Sequence, residues 1–251
     1  MAEQSGLTGA AAIVTGSAQN IGREIAISLS SAGAAVVINA RNSTDAAHAV
    51  ADEINSSGGK AIVHMADVTQ PDQVAGLIDA AVASFGRLDI LVNNVAARIA
   101  TPIADTSFED WRNVIASTLD AAFLCTRAAV PHLAVHGHGA IVNIGGVSGH
   151  AGVANRSAVA AAKAGLAGMT GSLGIELAPQ GITVNCVSPG YIDTHRGGHV
   201  PMHFQEKPVP AGRMGETGEI ASMVRFLCGP EGRYVTGQTI HVAGGWHISI
   251  S

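Results

Sequence analysis

Short runs that are apolar at every position alternate along this chain with longer segments of helical character, and that alternation constrains the fold more than any other feature. Residues 11–15 (AAIVT), 35–40, 60–66, 88–93, 140–144, 182–187 and 238–242 read as strands. Between them, 21–32, 44–57, 71–85, 108–136 and 157–178 read as helices. Gly58-Gly59 stops the second helix and Pro71 opens the third. Strands apolar throughout are covered on both faces, which is the mark of parallel strands with helical crossovers. Right-handed crossovers then wind helices onto both sides of one sheet. The expected fold class is therefore α/β, a doubly wound seven-stranded parallel sheet flanked by helices. No linker or charge run divides the 251 residues, so 1–251 reads as one domain. The long irregular stretch 191–215, rich in glycine, proline and histidine, reads as a lid or binding segment.

Composition narrows the functions open to such a sheet. Hydrophobic residues make up 47% and charged residues 13%, which suits a large core and argues against disorder. A net charge of −5 and the lack of any Lys/Arg run exclude a nucleic-acid partner. An anionic cofactor remains possible, because helix N-termini bind anions without net positive charge. Cys125, Cys186 and Cys228 match no metal spacing and are expected as reduced, buried thiols of a cytoplasmic protein. The opening MAEQSGLTGAAAIVTG lacks the pattern of a signal peptide. No stretch of ~18 uninterrupted apolar residues suggests a membrane partner.

The first strand runs into Thr15-Gly16-Ser17-Ala18-Gln19-Asn20-Ile21-Gly22, and a helix follows. That context suits a dinucleotide: Gly16 makes the tight turn, Gly22 lets helix and strand approach, and the helix N-terminus faces the pyrophosphate. Asn20 tolerates a left-handed backbone better than most residues. The turn resembles the TGxxxGxG motif of the short-chain dehydrogenases/reductases, with Asn20 at the middle glycine. Further resemblances follow in chain order. Asp67-Val68 resembles the pair that contacts adenine, and Asn93-Asn94-Val95-Ala96 the NNAG element after the fourth strand. Ser188-Pro189-Gly190 with Ile192 and Thr194 resembles the PGxIxT segment that meets the nicotinamide carboxamide. Gly244-Gly245 resembles the C-terminal glycine pair. The resemblance implies a Rossmann-type fold, a nicotinamide cofactor, a small-molecule substrate and a homotetramer or homodimer. Assembly would run through the helices 108–136 and 157–178 and the C-terminal strand.

Cofactor choice rests on the end of the second strand, which reads Asn39-Ala40-Arg41-Asn42. No acid is present for ribose hydroxyls, and Arg41 is placed to pair with a 2′-phosphate. The expectation is NADP rather than NAD. The set expected at the cofactor is Gly16, Ser17, Asn20, Ile21, Arg41, Asp67, Val68, Asn93, Lys163, Pro189, Ile192 and Thr194.

The family's catalytic set is Asn, Ser, Tyr and Lys, the last two in YxxxK. Lys163 stands within AAAKAG on the expected helix, but Val159 occupies the tyrosine position. Gly146 falls at the serine position and Thr118 at the asparagine position. Valine transfers no proton, and a general acid contributes ~10²–10⁴-fold. Lys163 has two readings, a hydrogen bond to the nicotinamide ribose or an ordinary helix lysine. Ser148 replaces the serine only if its loop bulges inward. His195, His199 and His203 recur every four residues in the suspected lid, as alternative proton donors or as solvated histidines. An iminium or conjugated substrate needs no proton at the reacting oxygen. A cofactor-binding homologue without dehydrogenase activity is the remaining reading. His132, His136 and His138 cluster at a helix end without a carboxylate, so no metal is expected. His150 is placed to face substrate, and Arg156 either binds a substrate carboxylate or is solvated.

Overall fold

The computed structural model describes residues 6–194 and 208–248. Seven parallel strands form one sheet in the order β3-β2-β1-β4-β5-β6-β7. They are β1 (Ala11–Val14), β2 (Ala35–Ala40), β3 (Lys60–Met65), β4 (Ile90–Asn93), β5 (Gly139–Ile144), β6 (Ile182–Pro189) and β7 (Thr239–Val242). The helices are α1 (Asn20–Ser31), α2 (Thr44–Ser56), α3 (Pro71–Phe85), α4 (Phe108–Ile115), α5 (Ala121–Leu133), α6 (Ser157–Leu177) and α7 (Thr217–Cys228). The doubly wound sheet expected from the apolar runs is present, with strand limits shifted by one or two residues.

The two sheet faces carry separate aliphatic cores. Ala12, Val14, Val36, Ile38, Val92 and Val142 pack against α1, α2 and α7. Ile13, Val37, Leu91, Ile141 and Val184 face the other way, against α3, α5 and the end of α6. Strand order reverses between β1 and β4, so the carboxyl edge there is the topological switch point where ligands of such sheets bind.

The long helix expected over 108–136 is broken. A π turn, Ala116–Asp120, separates α4 from α5, and α5 ends at Leu133. The cause is local: Ser117 Oγ donates to the carbonyls of Asn113 at 2.7 Å and Val114 at 3.4 Å, competing with the helix ladder. Turns of this kind recur at functional sites. Helix α7 was not anticipated, although its signal was legible. Glu216 and Glu219 form a capping box, and Ile220, Ala221, Val224 and Leu227 repeat on one face. By length and composition Phe108–Leu133 and Ser157–Gln180 would each cross a bilayer, a property the rule of uninterrupted apolar runs does not detect. In the fold they contribute Ala121, Cys125, Ala129, Leu133 and Leu177 to the sheet core.

Candidate active site

The turn after β1 is built to approach another molecule closely. Gly16 has φ +62 and Asn20 φ +53, so both adopt the left-handed backbone the sequence led us to expect. A Cβ on Gly22 would lie 2.4 Å from the Gly16 carbonyl oxygen and 2.5 Å from Asn94 Nδ2, so only glycine fits. Asn94 clamps the turn: its Nδ2 donates to the carbonyls of Thr15 at 2.9 Å and Gly16 at 3.1 Å. Helix α1 begins with no side-chain cap, leaving its first N–H groups without a side-chain partner. The free helix end and the cradle closed by Gly22 fit a pyrophosphate. Ile21 is buried under that turn.

Several residues expected at the cofactor have structural duties. Ser17 is fully buried, and its Oγ accepts from the Asn39 N–H at 3.0 Å. Asn39 in turn accepts from the Gly16 N–H at 3.2 Å and donates to the carbonyls of His64 and Ala66. The Asn93 amide turns into the sheet, donating to Thr126 Oγ1 at 3.2 Å and Asn143 Oδ1 at 2.9 Å. Asn143 continues this buried chain to Thr170. Sequence reasoning thus named Asn93 where Asn94 holds the turn, a distinction that depends on which way each amide rotates.

At the adenine end, Arg41 lies 3.6 Å from Asp67, with its side chain 64% exposed. Burial pushes the Asp67 carboxyl up, but the N–H and hydroxyl of Thr69 and the Arg41 guanidinium outweigh it and hold it below the usual range. Val68 is buried beside it. At the nicotinamide end, Pro189 closes β6, and Ile192 bridges to Gly215. Asp193 N–H donates to the Gly215 carbonyl at 2.8 Å, which pins the base of the 191–215 segment. Thr194 is buried there. His195, His199 and His203 lie outside the described residues.

The catalytic side centres on Lys163, which is 7% exposed. Its Nζ donates to the Ile144 carbonyl at 2.7 Å. Burial lowers the ammonium to about 8, against an opposing pull from the Cys186 thiol. Val159, one turn earlier on α6, sits in an apolar cluster with Val114, Ala158 and Ala162, bordered by Trp111 and Ile115. Gly146 has extended backbone with φ 168, and a Cβ there would meet only Ser148 Oγ at 3.8 Å and the Lys163 stem at 3.9 Å. Ser148 Oγ thus borders the open β-position of Gly146. A short 3₁₀ turn over Val147–Gly149 folds this loop, with Gly149 N–H donating to the Gly146 carbonyl at 3.0 Å. Gly149 lies on the α6 backbone, where a Cβ would be 2.8 Å from Ala164 N.

Thr118, in the π turn, is 2% exposed, and its Oγ1 has no hydrogen-bond partner. Among the described residues no group of three His, Cys, Asp or Glu side chains is arranged to hold a metal. His138 instead contacts Arg233. The three cysteines are free; burial raises Cys125 to about 12, while Cys228 is only partly covered.

Comparison with known proteins agrees with this geometry. A family model described as enoyl-(acyl carrier protein) reductase matches residues 16–247. The chain is 38% identical over 240 residues to a 3-oxoacyl-[acyl-carrier-protein] reductase of Synechocystis sp., covering 95% of this chain and 97% of that one. Among solved structures, a dehydrogenase/reductase from Sinorhizobium meliloti superposes with TM-score 0.92 at 36% identity, covering 96% of both chains. A 7α-hydroxysteroid dehydrogenase solved with NADH and 7-oxo glycochenodeoxycholic acid gives TM-score 0.92 at 31% identity, covering 100% of both.

Proposed function

The chain belongs to the short-chain dehydrogenase/reductase family of nicotinamide-dependent oxidoreductases, and we propose that it interconverts a small carbonyl compound and its alcohol with NADP(H), using Lys163 and Ser148 in place of the family's tyrosine and serine. The observation that carries this reading is the meeting of three groups at one point. The open β-position of Gly146 is bordered by the Ser148 hydroxyl at 3.8 Å and the Lys163 stem at 3.9 Å. Ser148 is a neutral donor to a carbonyl oxygen. Lys163 titrates at about 8, so near neutral pH it holds a proton it can give up.

The dinucleotide, when bound, supplies or takes the hydride. The chain's own residues do the rest. Gly16, Asn20 and the free end of α1 seat the pyrophosphate. Arg41, exposed at the end of β2 and 3.6 Å from Asp67, favours the 2′-phosphate of NADP. Pro189, Ile192 and Thr194 border the nicotinamide end. Ser148 holds the substrate oxygen, and Lys163 delivers the proton to it, through water where the two do not touch. Buried Val159 keeps that wall of the pocket apolar. We further propose a homotetramer or homodimer built on α4, α5 and α6, which present Phe108, Phe123 and Ile175 to solvent, with 77% of Phe108 and 81% of Ile175 exposed.

Fluorescence titration with NADPH and NADH, followed by a panel of ketones, imines and enones, tests the proposal. The expected result is tighter NADPH binding and ketone turnover that Ser148→Ala lowers by roughly 10²-fold while NADPH affinity holds. Turnover of imines alone would instead favour a route that needs no proton on oxygen. Cofactor binding without any turnover would make the protein a homologue that has lost dehydrogenase activity.

A further inference from the structure

Three histidines from separate segments meet at the carboxyl edge of the sheet. His241 lies on β7, His150 follows the 3₁₀ turn after β5, and His247 follows the Gly244-Gly245 turn. The His150 ring meets His241 edge-on, with centroids 4.6 Å apart and planes at 89°. His241 stacks on His247 at 3.9 Å and 21°. The Nδ1 atoms of His241 and His247 are both buried and have no hydrogen-bond partner among the described residues. Strand register sets Ser188 opposite His241, and Ser188 Oγ, on a fully buried residue, is likewise unpartnered. Unmet buried polar atoms cost about 1–3 kcal/mol each, so three around one cross-strand pair point to a group that binds there.

The surroundings define the chemistry of that group. Burial first, then the neighbouring histidines, depress His150 and His241, the latter to about 4. Among the described residues no carboxylate acts on either. Glu219 is paired with Arg213 at 2.7 Å, Asp193 acts on Tyr191, and Lys163 is bonded to Ile144. Val147, Ala243 and Trp246, with Val153 and Val209, form an apolar floor alongside. The cluster lies at the carboxyl ends of β5, β6 and β7, on the same edge of the sheet as the loop that bears Gly146 and Ser148.

We propose that His150, His241 and His247 form a recognition site for a carboxylate carried by the substrate. This rests on the reading of the cleft given above and deepens it: the carbonyl substrate is an acid, held by imidazoles of which His150 and His241 gain protons as it binds. Proton uptake and anion binding are then linked, so acid strengthens both.

The test uses the full-length protein with ¹⁵N-labelled histidine and succinate as probe. Succinamide and sodium chloride at matched ionic strength are the controls. Succinate is expected to shift the cluster's resonances saturably, with affinity rising several-fold per pH unit from pH 7 to pH 5. Succinamide and chloride should do neither. His247→Gln should abolish the saturable shift while NADPH affinity stays unchanged, and should erase the KM advantage of keto acids over keto amides. Equal responses to succinate and succinamide, a flat pH dependence, or retention of binding in His247→Gln would each overturn the assignment. NADPH binding is read separately, so loss of cofactor binding in the wild type would strike the proposed function and leave the succinate result standing.

Discussion

Gly146 and Val159 occupy the serine and tyrosine positions of the family pattern, yet the fold treats them in opposite ways. Gly146 has extended backbone and open space around its β-position, so Gly146→Ser should be nearly neutral, within about 0.5 kcal/mol by denaturant titration. Val159 is packed into the cluster with Val114 and Ala162, so Val159→Tyr should cost about 1–3 kcal/mol through overpacking in the same assay. A neutral Val159→Tyr would mean the pocket wall is looser than the packing indicates. Arg41 belongs at this scale too: Arg41→Ala should lower the NADPH-to-NADH preference in kcat/KM about tenfold, and an unchanged ratio would remove it from cofactor choice. Lys163 and Val159 were legible because one helical turn fixes their spacing, and Gly146 because it directly follows the fifth apolar run. The placement of Ser148 beside the β-position of Gly146 was not, because it depends on a 3₁₀ turn and on Gly149 lying against the α6 backbone. Likewise, nothing in the pattern reveals that the Asn93 amide bonds within the sheet while Asn94 grips the turn.

Helices and strands were the most readable elements, since seven apolar runs and their helical crossovers map directly onto the sheet. The break between α4 and α5 escaped because apolar periodicity continues through it; the disturbance is one hydroxyl, Ser117, bonding back to Asn113. That π turn holds Thr118 with its hydroxyl buried and unmet. Thr118→Val should therefore leave stability unchanged or raise it by about 1 kcal/mol, as thermal unfolding would show. Destabilisation would indicate a partner for that hydroxyl. At the other side of the cleft, Gly22→Ala would push a methyl to 2.4 Å from the Gly16 carbonyl. Its expected effects are a loss of about 1–3 kcal/mol and of NADPH binding together, because one turn serves both.

Across the molecule, acid should act through the histidine cluster. His150 and His241 have lower proton affinity folded than unfolded, so the unfolded chain binds more protons between the ordinary histidine value and about 4. Stability is therefore full above about pH 6.5 and falls as pH drops toward 4. A pH series of melting temperatures should show this slope, reduced in His247→Gln. Lys163 acts at the opposite end of the scale and on rate. Reduction needs its ammonium form, so the rate should fall as pH rises through about 8. The central claim, that Lys163 and Ser148 do the work of the absent tyrosine and serine, is tested most directly by the pH dependence of kcat for NADPH-linked ketone reduction. Wild type and Ser148→Ala should lose rate with one group near 8, the variant from a level roughly 10²-fold lower, whereas Lys163→Met should lack that limb. A Lys163→Met enzyme with the same limb, or Ser148→Ala with an undiminished rate, would contradict the account.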